Sequence, residues 1–101
     1  MRILLVEDDP VLQAVVQRSL VDSGHRVEAA GDLATADHWW RVQTFDAVLL
    51  DLNLPFDGRA SSGMGSGLTL LREVRARGDK TPVLVLTARN RTDERIAGLD
   101  A

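Results

Sequence analysis

Three apolar runs in this chain each stop on an oxygen-bearing side chain. The first nine residues read MRILLVEDD, so the apolar stretch 3–6 is followed at once by Glu7, Asp8 and Asp9. Residues 47–50 end on Asp51, and residues 83–86 end on Thr87. Short apolar runs bounded by polar residues have the length of buried strands. Helix-period segments separate them, and a β-α-β-α alternation implies a parallel sheet with right-handed crossovers. In open sheets of this kind, ligands sit beyond the carboxyl ends of the strands. Carboxylates brought there by two strands repel one another unless a divalent cation joins them.

The local signals support that alternation. Asp9-Pro10 pairs an N-cap residue with proline at the first helical position. Leu12, Val15, Val16 and Leu20 then recur at helical spacing, and Gly24 ends the helix. Residues 25–30 form a weaker strand, expected near an edge. Asp32 can cap a second helix that turns Leu33, Ala36 and Trp40 inward. Of the adjacent Trp39 and Trp40, one packs and the other is more exposed, with partial core packing expected there over a partner surface. A strongly buried strand covers 45–51. Leu68, Leu71 and Val74 mark a third helix ending near Gly78, residues 82–87 form a fourth strand, and 93–99 begin a fourth helix.

Bulk properties exclude several functions. A chain of 101 residues is one domain, and 45% hydrophobic content suits an ordinary globule. The absence of cysteine rules out disulfides and thiolate metal sites. The start does not read as a signal peptide, and no run approaches the roughly 20 apolar residues of a membrane span. A formal charge of −3 argues against direct nucleic-acid binding. A cytoplasmic domain without membrane attachment is the expectation. One stretch breaks the rhythm: PFDGRASSGMGSG, between Leu54 and Leu68, has no apolar period. A flexible insertion over about 56–67 is expected, either inert or a flap over the acidic edge.

The motifs VEDD, LLDLNLP and VLVLTAR, in that order at successive strand ends, resemble the receiver domain of two-component response regulators. The run TPVLVLTARNRTDERIAGLDA is most like receivers of the winged-helix transcription-factor class. The resemblance covers the whole chain, 1–101, apart from the insertion. It implies a flavodoxin-like α/β fold with a parallel sheet of order 2-1-3-4-5. It further implies that Asp51 accepts a phosphoryl group from a sensor histidine kinase, with carboxylate as nucleophile. Asp8 and Asp51 would ligate Mg²⁺ directly, Glu7 would act through water, and Asn53 would offer its backbone carbonyl. Thr87 would hydrogen-bond a phosphoryl oxygen, and Ala88 would leave room for it. In a longer parent protein the domain would control a DNA-binding transcription regulator.

Other readings remain beside these. Glu7, Asp8 and Thr87 can be ordinary strand-end or loop residues, and Asp9 is assigned to helix capping rather than metal. His25 and His38 are expected at the surface, and Arg72, Arg75 and Arg77 on a solvated helix face. Receivers continue into a fifth strand bearing a lysine and then a fifth helix, and the sequence reaches Ala101 before both. Lys80 precedes the fourth strand, at the wrong end of the sheet to replace that lysine. The fourth strand is then expected to be an open apolar edge through which copies self-associate. Two alternative functions follow: a phosphorylation-deficient interaction module, or a hydrolase with an aspartyl nucleophile. The hydrolase pattern needs Asp-x-Asp after the first strand, where this chain has Glu7-x-Asp9.

Overall fold

The computed structural model describes residues 1–55 and 64–86. Four strands, β1 (Arg2–Val6), β2 (Arg26–Ala30), β3 (Ala47–Asp51) and β6 (Val83–Leu86), form a parallel sheet of order β2-β1-β3-β6. This is the flavodoxin-like order 2-1-3-4 expected from the motifs. Helices α1 (Pro10–Asp22), α2 (Leu33–Val42) and α3 (Gly67–Ala76) make the crossovers. Thr87, Ala88 and the expected fourth helix lie outside the described residues. Among the described residues, no helix is long and apolar enough to cross a membrane.

Both expected caps form. The Asp9 carboxylate accepts the Val11 and Leu12 N–H groups at 2.9 and 3.2 Å, ahead of Pro10. Asp32 accepts the Thr35 N–H at 2.6 Å. Each satisfies backbone donors that a helix start leaves unpaired. Gly24 and Gly78 carry φ of 93° and 86°, the left-handed turn after α1 and α3 that suits glycine.

The two faces of the sheet are unequally covered. Leu4, Val6, Val48, Leu50, Val83 and Val85 point to one side. There they meet Ala36 and Trp40 of α2 and Leu70, Leu71 and Val74 of α3 in a closed core. Trp39 is half-buried against that core, the partial packing expected there, with the exposed His38 edge-on to its ring. On the opposite face α1 shields Ile3 and Leu5, yet no residue of α1 is itself buried. Leu12, Val15 and Leu84 stay 42, 61 and 47% exposed on that side.

The Gly/Ser stretch departs from the expected loop. It opens as β4 (Asn53–Pro55), which pairs antiparallel with β5 (Met64–Ser66), and α3 begins directly at Gly67. Leu54 is fully buried and the Gly67 N–H donates to the Leu52 carbonyl at 2.8 Å, so tertiary anchoring overrides weak local propensity. A Cβ at Gly67 would run into the Asp51 carbonyl oxygen and lie 3.1 Å from Leu52 Cα and 3.2 Å from Leu50 Cδ1. Two of those atoms are backbone and cannot swing away. Gly67→Ala is expected to destabilise the domain by about 1–3 kcal/mol in urea unfolding. An unchanged midpoint would mean the α3 start is free to shift.

Of the three arginines expected on a solvated helix face, Arg72 is exposed, whereas Arg75 and Arg77, the latter just past the end of α3, make structural contacts. Arg77 and Arg41 both reach Asp37, at 3.2 and 2.7 Å, and the first of these ties α3 to α2. Arg75 donates to the carbonyls of Asp79 and Thr81 at 3.1 and 2.7 Å, fixing the path from α3 into β6. Asp79 completes that turn, accepting the Thr81 N–H at 2.8 Å and the Thr81 hydroxyl at 2.6 Å. Burial raises the Asp79 carboxyl, but the two Thr81 hydrogen bonds, then Trp40 and Arg75, outweigh it and leave it below 3.8. The Trp40 indole N–H helps to hold that carboxyl down, although it makes no hydrogen bond of ordinary length. A depressed carboxyl contributes stability above its unfolded pKa and loses it as pH falls through the folded one. Asp79→Ala is expected to cost about 1–2 kcal/mol at pH 7. Its gap to the parent protein should persist at pH 4 and close only in stronger acid, read by thermal unfolding across that range.

Candidate functional site

The acidic edge follows from the pairing of β1 with β3. In their register Val6 stands beside Leu50, so the next residues, Glu7 and Asp51, emerge side by side at the carboxyl end of the sheet. Glu7, Asp8 and Asp51 each offer a carboxylate oxygen, and these oxygens lie within 4.8 Å of one another. Glu7 and Asp51 are buried, at 4 and 6% exposure, whereas Asp8 opens to solvent. Asp9, next in sequence, is turned away to cap α1. The hydrolase reading therefore loses its second carboxylate.

Glu7 is held from several sides. Its N–H donates to the Ala30 carbonyl at 2.9 Å, where β2 ends, and its own carbonyl accepts Gln13 Nε2 at 2.8 Å. The Asp9 N–H donates to Glu7 Oε2 at 3.1 Å. Burial pushes the Glu7 carboxyl up to about 7 against that N–H, and its hydrogen bond with Asp51 and the Asp51 charge push the same way. Two buried acids at hydrogen-bond range resist carrying two negative charges. An all-oxygen donor set, part buried and part open to water, suits a hard divalent cation that keeps some of its waters.

The other expected site residues are distributed differently. Asn53 lies in β4, paired with Ser66, two positions beyond Asp51. Thr87 and Ala88 are outside the described residues, while Leu86, immediately before them, stands in register with Asp51. Lys80 sits before β6, away from the acidic edge. Two contributors escaped the sequence reading. Gln13 looked like a polar residue on a helix, and Gly67 like part of a featureless loop. Only Gly67 left a signal, as the last glycine before the helical period begins.

Comparison with known proteins agrees with this geometry. The model of the response regulator receiver domain family matches residues 3–101. Response regulator MprA of Mycobacterium avium is 41% identical over all 101 residues, and the same protein of Mycobacterium leprae is equally similar. The chain spans 41% of the length of these relatives. Among solved structures, the non-phosphorylated HemR receiver domain of Leptospira biflexa has a TM-score of 0.79 at 35% identity, covering 98% of this chain and 73% of that one. The BeF3-activated receiver domain of Klebsiella pneumoniae RstA has a TM-score of 0.80 at 26% identity, covering 99 and 78%. No support arises for a phosphorylation-deficient module. With its parallel 2-1-3-4 sheet and an acidic trio at the carboxyl edge, this chain belongs to the response regulator receiver domain family.

Proposed function

We propose that Asp51 is the phosphoacceptor and that Mg²⁺ is the resident cation of the acidic edge. The convergence of Glu7, Asp8 and Asp51 carries this reading. Asp8 and Asp51 would hold the ion, Glu7 would act through water, and Asn53 would supply its backbone carbonyl. When bound, Mg²⁺ offsets the crowded carboxylates and neutralises a transferring phosphoryl group. The donor is a phosphohistidine of a sensor histidine kinase. An Asp51 carboxylate oxygen forms the new bond to phosphorus as the phosphorus–nitrogen bond breaks, and the imidazole departs with that electron pair. Thr87 donates a hydrogen bond to the phosphoryl oxygen, and Ala88 leaves space beside it. Chemistry stops at transfer onto the domain, so the role is regulatory, within the cytoplasm.

In the longer protein, the aspartyl phosphate biases a two-state surface that controls a DNA-binding transcription-regulator domain. Support comes from the relatives named response regulators, of which this chain spans the receiver portion. A homotypic contact along the outer edge of β6, where Leu84 is 47% exposed, belongs to the same reading, and Leu84→Lys should remove it from sedimentation profiles.

Two outcomes test the proposal. Incubation with acetyl phosphate and Mg²⁺ should add one phosphoryl mass, absent in Asp51→Asn and in EDTA. An adduct that survives Asp51→Asn would place the acceptor elsewhere. Without divalent ions, Asp51→Asn should also unfold later than the parent protein at pH 8, by about 1–2 kcal/mol, because it removes one of two buried like charges. Saturating Mg²⁺ should erase that advantage. Equal stabilities in EDTA would show that the acids do not crowd.

A further inference from the structure

Among the described residues, β2 has no strand on the side away from β1. Its sequence, RVEAA, places Arg26 and Glu28 two positions apart, hence on one face. Neither forms an ion pair among the described residues. The ladder to β1 shows which backbone groups are already used. The Arg26 N–H donates to the Met1 carbonyl and the Ala30 carbonyl accepts the Glu7 N–H, both at 2.9 Å. Residues 26, 28 and 30 therefore face β1, and Val27 and Ala29 turn their N–H and C=O groups to the open edge.

An open edge is ordinarily protected by charges that discourage pairing. Opposite charges two positions apart do the reverse when a second copy approaches about a two-fold axis. With Val27 on the axis, the two Val27 residues exchange both hydrogen bonds, and Arg26 of each copy stands opposite Glu28 of the other. No neighbouring register does this. An axis at Arg26 or at Glu28 sets like charges together, and an axis at Ala29 puts Glu28 opposite Ala30. The His25 N–H is already given to the Leu20 carbonyl at 3.1 Å, which leaves its carbonyl for the facing Ala29 N–H.

We propose that the β2 edge is a homotypic docking surface, pairing antiparallel with β2 of a second copy in the Val27-to-Val27 register. The sheet becomes continuous across the axis. Because the paired strands run in opposite directions, the two acidic edges point to opposite ends of the dimer. Asp51 stays accessible in both copies, and the contact stands apart from the phosphoacceptor reading.

The chain has no cysteine, so single introduced thiols report the register directly. Paired Val27 residues would have Cα atoms about 5.5 Å apart, within disulfide range. Val27→Cys should therefore form a disulfide-linked dimer under mild oxidation. A mixture of Arg26→Cys and Glu28→Cys chains should yield the mixed disulfide well above either homodimer. In sedimentation equilibrium, Glu28→Arg should raise the dissociation constant about tenfold, since both cross-strand pairs become repulsive. The double reversal Arg26→Glu with Glu28→Arg should return it to within about twofold of the parent value. A concentration-independent monomer, or failure of the mixed disulfide to exceed the homodimers, overturns the proposal. So does association that ignores Glu28→Arg but disappears in Leu84→Lys, which assigns the contact to β6.

Discussion

Everything at the acidic edge depends on the parallel pairing of β1 with β3. Two strands whose residues 6 and 50 are neighbours must release Glu7 and Asp51 side by side, about 4.8 Å apart along the hydrogen-bonding direction. Burying a carboxylate costs free energy unless it is paired, and two adjacent ones cost more. The fold meets that cost elsewhere: Leu4, Leu5, Val6, Val48 and Leu50, immediately behind the acids, are fully buried. The strands are too well packed to move apart, so charge crowding is expressed in the Glu7 carboxyl rather than in the backbone. An all-oxygen trio, part buried and part open to water, has the chemistry of a divalent-cation site.

That packing is one-sided. The α2 and α3 face carries the closed core, reinforced by the Arg77 to Asp37 link and the Asp79 turn. On the α1 face, Ile3 and Leu5 are buried while Leu84 is not. The acids thus sit above a sheet clamped chiefly from the α2 and α3 side, while Gln13 and the Asp9 N–H reach Glu7 from the α1 side. Destabilising the clamped side should disturb Asp51. Substitution on α1 should reach it through Gln13 and the Asp9 cap, both bonded to Glu7.

Much of this was legible in the letters. Apolar runs with terminal acids, Asp9-Pro10, Asp32 and the glycines after α1 and α3 each report local physics, and each holds in the structure. The convergence of Glu7, Asp8 and Asp51 was legible through the family resemblance, whose sheet order sets the ends of the first and third strands side by side. What escaped was tertiary. Arg75 and Arg77 bond to partners on another helix or in a later turn. The β4–β5 hairpin has no alternation of apolar residues to announce it, and its single strong anchor, Leu54, reads as one leucine before a proline.

The hairpin also explains how an insertion beside Asp51 can be tolerated. Loop closure becomes only slowly more costly with length, so added residues are inexpensive if the points of departure and return are fixed. Here both are fixed by the site itself. The chain leaves through Leu52 and the buried Leu54, and it re-enters at Gly67, whose N–H is bonded back to Leu52. The return lies hard against the Asp51 backbone, where no side chain fits. The points of departure and return are thereby held together by a two-strand clamp. The same clamp makes Gly67 a position through which changes would reach Asp51.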